Sequence, residues 1–173
     1  MNQDERYSLA LSTLGPALRR MVRGFEAHPE RRQDLLQDIH VELWRSLKSF
    51  NAQCALRTWV FRVAHNVYAS HVLRSRRLYG ALVSLDELAE VPSHDNPADS
   101  ASNQQALERV RGLIQRLKPP DALVMSLYLE DIGASEIGEI IGLSATAVAT
   151  RIHRIKTVLA GEFHKGGSDD GHT

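Results

Sequence analysis

Gly133 to Leu159 reads GASEIGEIIGLSATAVATRIHRIKTVL. The first eight or nine residues predict a short helix ending at Ile141, and Gly142 suits the left-handed position that closes such a helix. Ser144 is then placed as the N-cap of a second, longer helix. In that helix Val148, Ile152, Ile155 and Leu159 recur at the spacing of one buried stripe, which leaves Ala147, Thr150, Arg151 and Arg154 on the other faces. A short helix, a glycine turn and a longer helix with a basic outer side is the helix-turn-helix layout, in which the second helix enters the major groove by its N-terminal half. An ordinary helical hairpin with a solvated Arg/Lys face satisfies the same pattern, so the choice falls to the rest of the chain.

Upstream, Arg57 to Arg77 (RTWVFRVAHNVYASHVLRSRR) holds five arginines, two histidines, Trp59, Phe61 and Tyr68, with no acidic residue. Leu56, Val60, Val63 and Val67 give it a helical stripe, so the arginines lie mostly away from the core. Cations interleaved with aromatic rings suit a strand of unpaired nucleic acid, the cations for phosphates and the rings for bases. Trp59, close to the stripe, reads as core packing. Phe61 and Arg62, farther round, are the expected base contacts. Asn66 can read a base edge or satisfy a buried or capping hydrogen bond.

Before it, Gln33 to Leu47 predicts a helix with Leu36, Ile39, Leu43 and Leu47 inward. On its other side Val41 and Trp44 stand among Asp34, Gln37 and Asp38. Apolar groups rimmed by carboxylates fit a docking face for a basic protein partner, although Trp44 could equally pack on the first helix. That first helix is marked by Leu9, Leu11, Leu14, Leu18, Met21, Val22 and Phe25, with Gly15-Pro16 as the place for a kink. "SFNAQCA" after the second helix reads as a loop. From Val83 to Gln104 periodicity gives way to "VPSHDNPADSASN", a linker composition, and helices are expected again over about 105–117 and 121–129.

The chain has 21 Lys and Arg against 21 Asp and Glu, and this zero net charge is blocked along the sequence. Arg57 to Arg77 is basic only, Leu78 to Asn103 acidic only, Asp121 to Ile141 acidic only, and Gly142 to Ala160 basic only. Blocks imply separate charged surfaces rather than a uniform nucleic-acid coat. With 43 % hydrophobic residues the composition is that of a folded chain. One cysteine, Cys54, excludes an internal disulfide and fits a reducing compartment. The N-terminus has no signal-peptide hydrophobic stretch, and no apolar run reaches the roughly 18 to 20 residues of a membrane span, so the expected location is cytoplasmic. No glycine-rich phosphate loop, HExxH or paired cysteines occur, and the histidines lack ligand spacing. The expectation is therefore a non-enzyme with no catalytic residues, no metal, no cofactor and no small-molecule substrate.

Taken in order, these segments resemble the compact, two-domain extracytoplasmic-function (ECF) group of bacterial RNA polymerase sigma factors, from about Tyr7 to Phe163. "DLLQDIHVELWRSLKSF" is similar to that family's clamp-binding helix and "LRTWVFRVAHN" to its promoter-melting helix, usually a W-L-Y-R-I-A-x-N core. Gly133 to Leu159 is similar to its C-terminal helix-turn-helix. The resemblance implies an all-α fold: an N-terminal domain over 1–80, an acidic flexible linker over 81–104, a helix-turn-helix domain over 105–165 and a disordered tail over 166–173. It implies binding to core RNA polymerase through Asp34, Gln37, Asp38, Val41 and Trp44. Capture of the single-stranded minus-ten element would fall to Phe50, Phe61, Arg62 and Asn66, with Arg74, Arg76 and Arg77 on nearby phosphates. Duplex contact at the minus-thirty-five element would fall to Ser144, Thr146, Ala147, Thr150, Arg151 and Arg154. The linker would thread toward the polymerase active centre. An anti-sigma factor is a further partner that the resemblance allows.

The sequence departs from the family at several places. The recognition helix opens Thr146-Ala147-Val148-Ala149-Thr150-Arg151 where Gly-Thr-Val-Lys/Arg-Ser-Arg is usual, so Ala149 lacks a basic contact. Gly133 stands for a Ser or Thr cap, Gly138 for Ala, and His65 for Arg. Two other readings stay open at this level: a sigma-shaped decoy acting only through protein partners, and a free-standing helix-turn-helix regulator that binds duplex operators as a dimer.

Overall fold

The computed structural model describes residues 1–79 and 102–167. Of the linker expected over 81–104, residues 81–101 lie outside the described residues and 102–104 belong to the helix that opens at Ser102; of the tail expected over 166–173, residues 168–173 lie outside them and 166–167 end the last helix. Among the described residues there is helix and no strand: α1 Gln3–Phe25, α2 Pro29–Ser46, α3 Leu56–Tyr79, α4 Ser102–Gln115, α5 Pro119–Leu129, α6 Ala134–Ile141 and α7 Ala145–Gly167. The fold is all-α, with α1 to α3 forming one helical unit and α4 to α7 a second. None of these helices is long and apolar enough to cross a membrane.

Where the helices begin follows from local chemistry. Asn2 caps α1 in a reciprocal box: Glu5 N–H donates to Asn2 Oδ1 at 2.8 Å and Asn2 N–H to Glu5 Oε2 at 2.8 Å. Pro29 and Pro119 start α2 and α5. Proline is well suited to a first helical position, because its missing N–H would have no partner there and its φ is already helical. This is why α2 begins four residues before the Gln33 expected from periodicity. Pro16 lies inside α1, which continues through it as one helix.

The second α-helical stripe is as expected in outline: Ile39, Leu43 and Leu47 are fully buried. Leu35 rather than Leu36 completes it. Burying each such side chain contributes roughly 1.5 to 3 kcal/mol. Two apolar clusters result. Ala10, Leu43, Leu47, Val60 and Val63 form the smaller one, between α1, α2 and α3. The larger runs through both helical units, joining Leu18, Met21, Val22, Phe25, Phe61 and Tyr68 to Ile114, Leu123, Leu127, Ile137, Ile140 and Val148. The two units therefore share a core. In the contact between them Gly24 of α1 faces Ser126 of α5, and a Cβ on Gly24 would lie 2.5 Å from Ser126 Oγ.

Candidate nucleic-acid and polymerase interfaces

The helix-turn-helix forms as the sequence predicts. Gly142 has φ +80°, in the left-handed region, and its N–H donates to Gly138 O at 2.8 Å. Ser144 Oγ accepts from Ala147 N–H at 3.1 Å, capping α7. Val148, Ile152 and Ile155 are buried, and Leu159 packs partly buried beside them. Gly138, a departure from the family pattern, has a steric cause: a Cβ there would run into the carbonyl oxygen of Leu143 in the turn. Ser144, Thr146, Ala147, Thr150, Arg151 and Arg154 together line one shallow groove on the outer side of α7. Asp121, in the first turn of α5, reaches both of its arginines, at 3.6 Å from Arg151 Nε and 3.6 Å from Arg154 Nη2.

On α2, Asp34, Gln37, Asp38, Val41 and Trp44 are all exposed. Val41 and Trp44 are each 43 % exposed, so neither is spent on the core. Trp44 does touch the first helix, but by its edge: Nε1 donates to Asp4 Oδ1 at 2.8 Å, and Gln3 Nε2 donates to the Trp44 carbonyl at 2.7 Å. The same face includes Tyr7 and His40, which sequence spacing did not single out. Tyr7 Oη and His40 Nδ1 are 3.1 Å apart. Burial, with the nearby Arg19 charge adding to it, lowers the His40 pKa.

On α3 the expectations divide. Asn66, Arg74, Arg76 and Arg77 are exposed. Asn66 Oδ1 lies 3.2 Å from His65 Nδ1. Trp59 packs against the smaller cluster as expected, its ring 5.4 Å from that of half-buried Phe50 and its Nε1 donating to Ser46 Oγ at 3.1 Å. Phe61 requires correction. It is 1 % exposed, within the larger core, and does not stand on an open face for bases. The reason is a second stripe on α3. Phe61, Ala64 and Tyr68, spaced at three and four, are all buried in the cluster that continues into the C-terminal unit, while Val60 and Val63 belong to the other. Tyr68 stacks on Phe25 with ring centroids 4.0 Å apart. The spacing of these three residues carried that signal, but aromatic rings beside arginines also fit base stacking.

The acidic block 121–141 also has a use that the sequence did not reveal, as an internal counterpart to basic residues. Glu136, in the first turn of α6, accepts both forks of the Arg57 guanidinium, with Nε at 3.1 Å from Oε1, and accepts Thr58 Oγ1 at 2.9 Å. Arg57 holds the Glu136 carboxyl below its ordinary range, against the opposing effect of burial. Arg62 Nη2 donates to the Glu139 carbonyl at 3.1 Å. Between α1 and the end of α5, Arg20 makes a two-pronged pair with Glu130 at 2.9 and 2.8 Å. No cluster of three or more His, Cys, Asp or Glu able to hold a metal occurs among the described residues.

Comparison with known proteins accounts for both units. Residues 11–78 match Sigma-70 region 2 and residues 107–159 match Sigma-70, region 4. CnrH of Cupriavidus metallidurans, an RNA polymerase sigma factor, is 30 % identical over 154 residues, covering 84 % of this chain and 80 % of CnrH. The chain belongs to the ECF sigma factors. The sigma factor YlaC of Bacillus subtilis is 27 % identical over 144 residues, 83 % of each chain. In fold, the chain resembles the sigma factor RpoE from Bartonella quintana, solved in complex with the anti-sigma factor NepR: TM-score 0.73 at 20 % identity, covering 92 % of this chain and 96 % of that one. As a sigma factor the protein directs promoter recognition in transcription initiation, and the region 2 match sets aside the free-standing regulator.

Proposed function

We propose that this sigma factor holds core RNA polymerase with the α2 face, places α7 in the major groove of an upstream promoter element, and captures unpaired bases along α3. In this reading Asp34, Gln37, Asp38, Val41 and Trp44 meet the polymerase, with Tyr7 and His40 completing the face. Arg62, Asn66, Arg74, Arg76 and Arg77 bind the separated strand, and Phe50 contributes through its loop. Phe61 supports α3 from within rather than touching a base. The groove residues Ser144, Thr146, Ala147, Thr150, Arg151 and Arg154 read the duplex. The protein performs no covalent chemistry of its own and works in the cytoplasm, where polymerase and promoters are. The acidic linker expected over 81–104, of which 102–104 already belong to α4, would thread toward the polymerase active centre. An anti-sigma partner would act by covering these faces.

The observation that carries this reading is the outer side of α7, where the six residues expected from sequence line a single groove with two arginines at its rim. Purified protein is to be combined with sigma-free core polymerase on fragmented genomic DNA, and the run-off transcript ends mapped. Discrete starts sharing upstream elements are the expected result. Core binding without transcripts would replace this reading with the decoy that acts only through protein partners.

A further inference from the structure

Pro119 and Pro120 open α5, and the N–H groups of Asp121 and Ala122 turn back to the Lys118 carbonyl, at 2.9 and 3.0 Å. The Asp121 carboxylate takes no part in this start and reaches across to α7, where it divides between two arginines. Oδ1 lies 3.6 Å from Arg151 Nε, and Oδ2 lies 3.6 Å from Arg154 Nη2. These two arginines are the charged residues that line the groove on the outer side of α7. Their pairings are not equivalent. Arg151 is the more enclosed, 33 % exposed against 66 % for Arg154. A guanidinium met at Nε keeps its paired Nη edge for another acceptor, and such an edge matches O6 and N7 of guanine in the major groove. Arg154 meets Asp121 by a terminal nitrogen, the group that a backbone phosphate would take, so phosphate and carboxylate compete for it. At 3.6 Å each pair is longer than a hydrogen bond and exchanges readily. Asp121, only 20 % exposed, keeps its charge beside an incoming DNA backbone with limited screening.

We infer that Asp121 is a specificity-determining residue of promoter recognition: it sets Arg151 toward a guanine of the upstream element and opposes binding through phosphates alone. This role depends on the assignment of α7 to that element. A duplex with guanine at the matching position gains the preset Arg151 contact. A duplex without it meets a carboxylate facing its phosphates and gains nothing in return. Asp121 therefore widens the gap between right and wrong sequences while touching no base, and it does so at some loss of total affinity.

Holoenzyme binding is to be measured on a mapped promoter fragment and on the same fragment with its upstream element scrambled. A third set replaces each guanine of the element in turn by 7-deazaguanine, which lacks the N7 acceptor. The full chain is compared with Asp121→Asn, Asp121→Ala, Arg151→Ala and the Asp121→Asn, Arg151→Ala double variant, each checked for unchanged melting temperature and core affinity. In the parent, scrambling weakens binding, and one 7-deazaguanine replacement weakens it about tenfold. Asp121→Asn keeps the side-chain shape and removes the charge. It should strengthen binding to the scrambled fragment more than to the element, so that discrimination falls about fivefold and the 7-deazaguanine penalty shrinks with it. Asp121→Ala should do the same. Once Arg151 is alanine, Asp121→Asn should no longer alter the response to 7-deazaguanine, because the effect runs through that arginine. Simple loss of repulsion would strengthen both fragments alike, and an unchanged ratio overturns the role of Asp121. So does a 7-deazaguanine penalty that is absent from the parent or undiminished in both Asp121 variants. Scrambling that costs the parent nothing is a different failure, since it removes α7 from the upstream element altogether.

Discussion

Trp44 Nε1 donates a 2.8 Å hydrogen bond to Asp4 Oδ1, so the exposed indole of α2 is held in place by the first turn of α1. A large ring fixed before its partner arrives loses little freedom on binding, the property of an interface anchor. Trp44→Ala should weaken core polymerase binding by about 2 kcal/mol, roughly 30-fold, and Asp4→Ala by less. Neither should move the melting temperature much, because the ring is 43 % exposed. Competition for core against a labelled sigma factor measures this, and unchanged affinity for Trp44→Ala would remove α2 from the polymerase interface.

Asn66 is exposed on α3, with its Oδ1 3.2 Å from His65 Nδ1. Asn66→Ala should leave core affinity intact and lower open-complex formation by about 1 kcal/mol or more, the scale of one lost hydrogen bond. Permanganate reactivity of unpaired thymines on a mapped promoter reports it directly.

Asp121 lies between the arginines of the recognition helix and offers them a competing anion at 3.6 Å. Arg154→Ala should weaken holoenzyme binding to upstream duplex and flatten the log affinity against log salt line by about 0.9, one phosphate's worth. Asp121→Asn should act in the opposite direction, strengthening binding. Titrations at two salt concentrations distinguish the pair.

Helix propensity and packing disagree at Gly138. Propensity favours Gly138→Ala by about 1 kcal/mol, but the added methyl runs into the Leu143 carbonyl oxygen. Because that neighbour is backbone within a tight turn, packing should win, with a net loss of about 1 to 3 kcal/mol. Thermal denaturation should show a lowered midpoint.

Burial lowers the pKa of His40, and of His65 against an opposing hydrogen bond from Asn66, below the ordinary 6.5. Between 6.5 and the lowered values the unfolded chain binds more protons than the folded one, so stability rises with pH. The contribution is complete above about pH 6.5 and is lost as pH falls through the lowered values. Urea midpoints at pH 7.5 and 5.5 should differ in that sense, and less so in a His40→Gln, His65→Gln chain.

Periodicity revealed the helices and the inward stripes of α2 and α7, because each of those elements presents one clear apolar row to the rest of the protein. It failed on α3, which has two. Val60 and Val63 face one cluster while Phe61, Ala64 and Tyr68 face another. A one-stripe reading necessarily places the second row outside. The recognition groove was legible because helical spacing alone gathers its residues. The pairing of Arg57 with Glu136 was not, since 79 residues separate them and nothing local couples their positions. The starts of α2 and α5, at Pro29 and Pro119, lie four and two residues before the expected Gln33 and Asp121, because apolar periodicity does not register the proline that opens each helix.

The close seat of Gly24 against the C-terminal unit also bears on how the chain is born. Arg20 and Glu130, on the same pair of helices, are 110 residues apart. At a synthesis rate of about 5 to 20 residues per second, the α1 face bearing Met21 and Phe25 emerges from the ribosome some 5 to 20 seconds before α5 exists to cover it. For that interval the nascent chain carries an uncovered apolar surface, which makes this helix a point of engagement for chaperones and ties the speed of translation to the yield of folded protein.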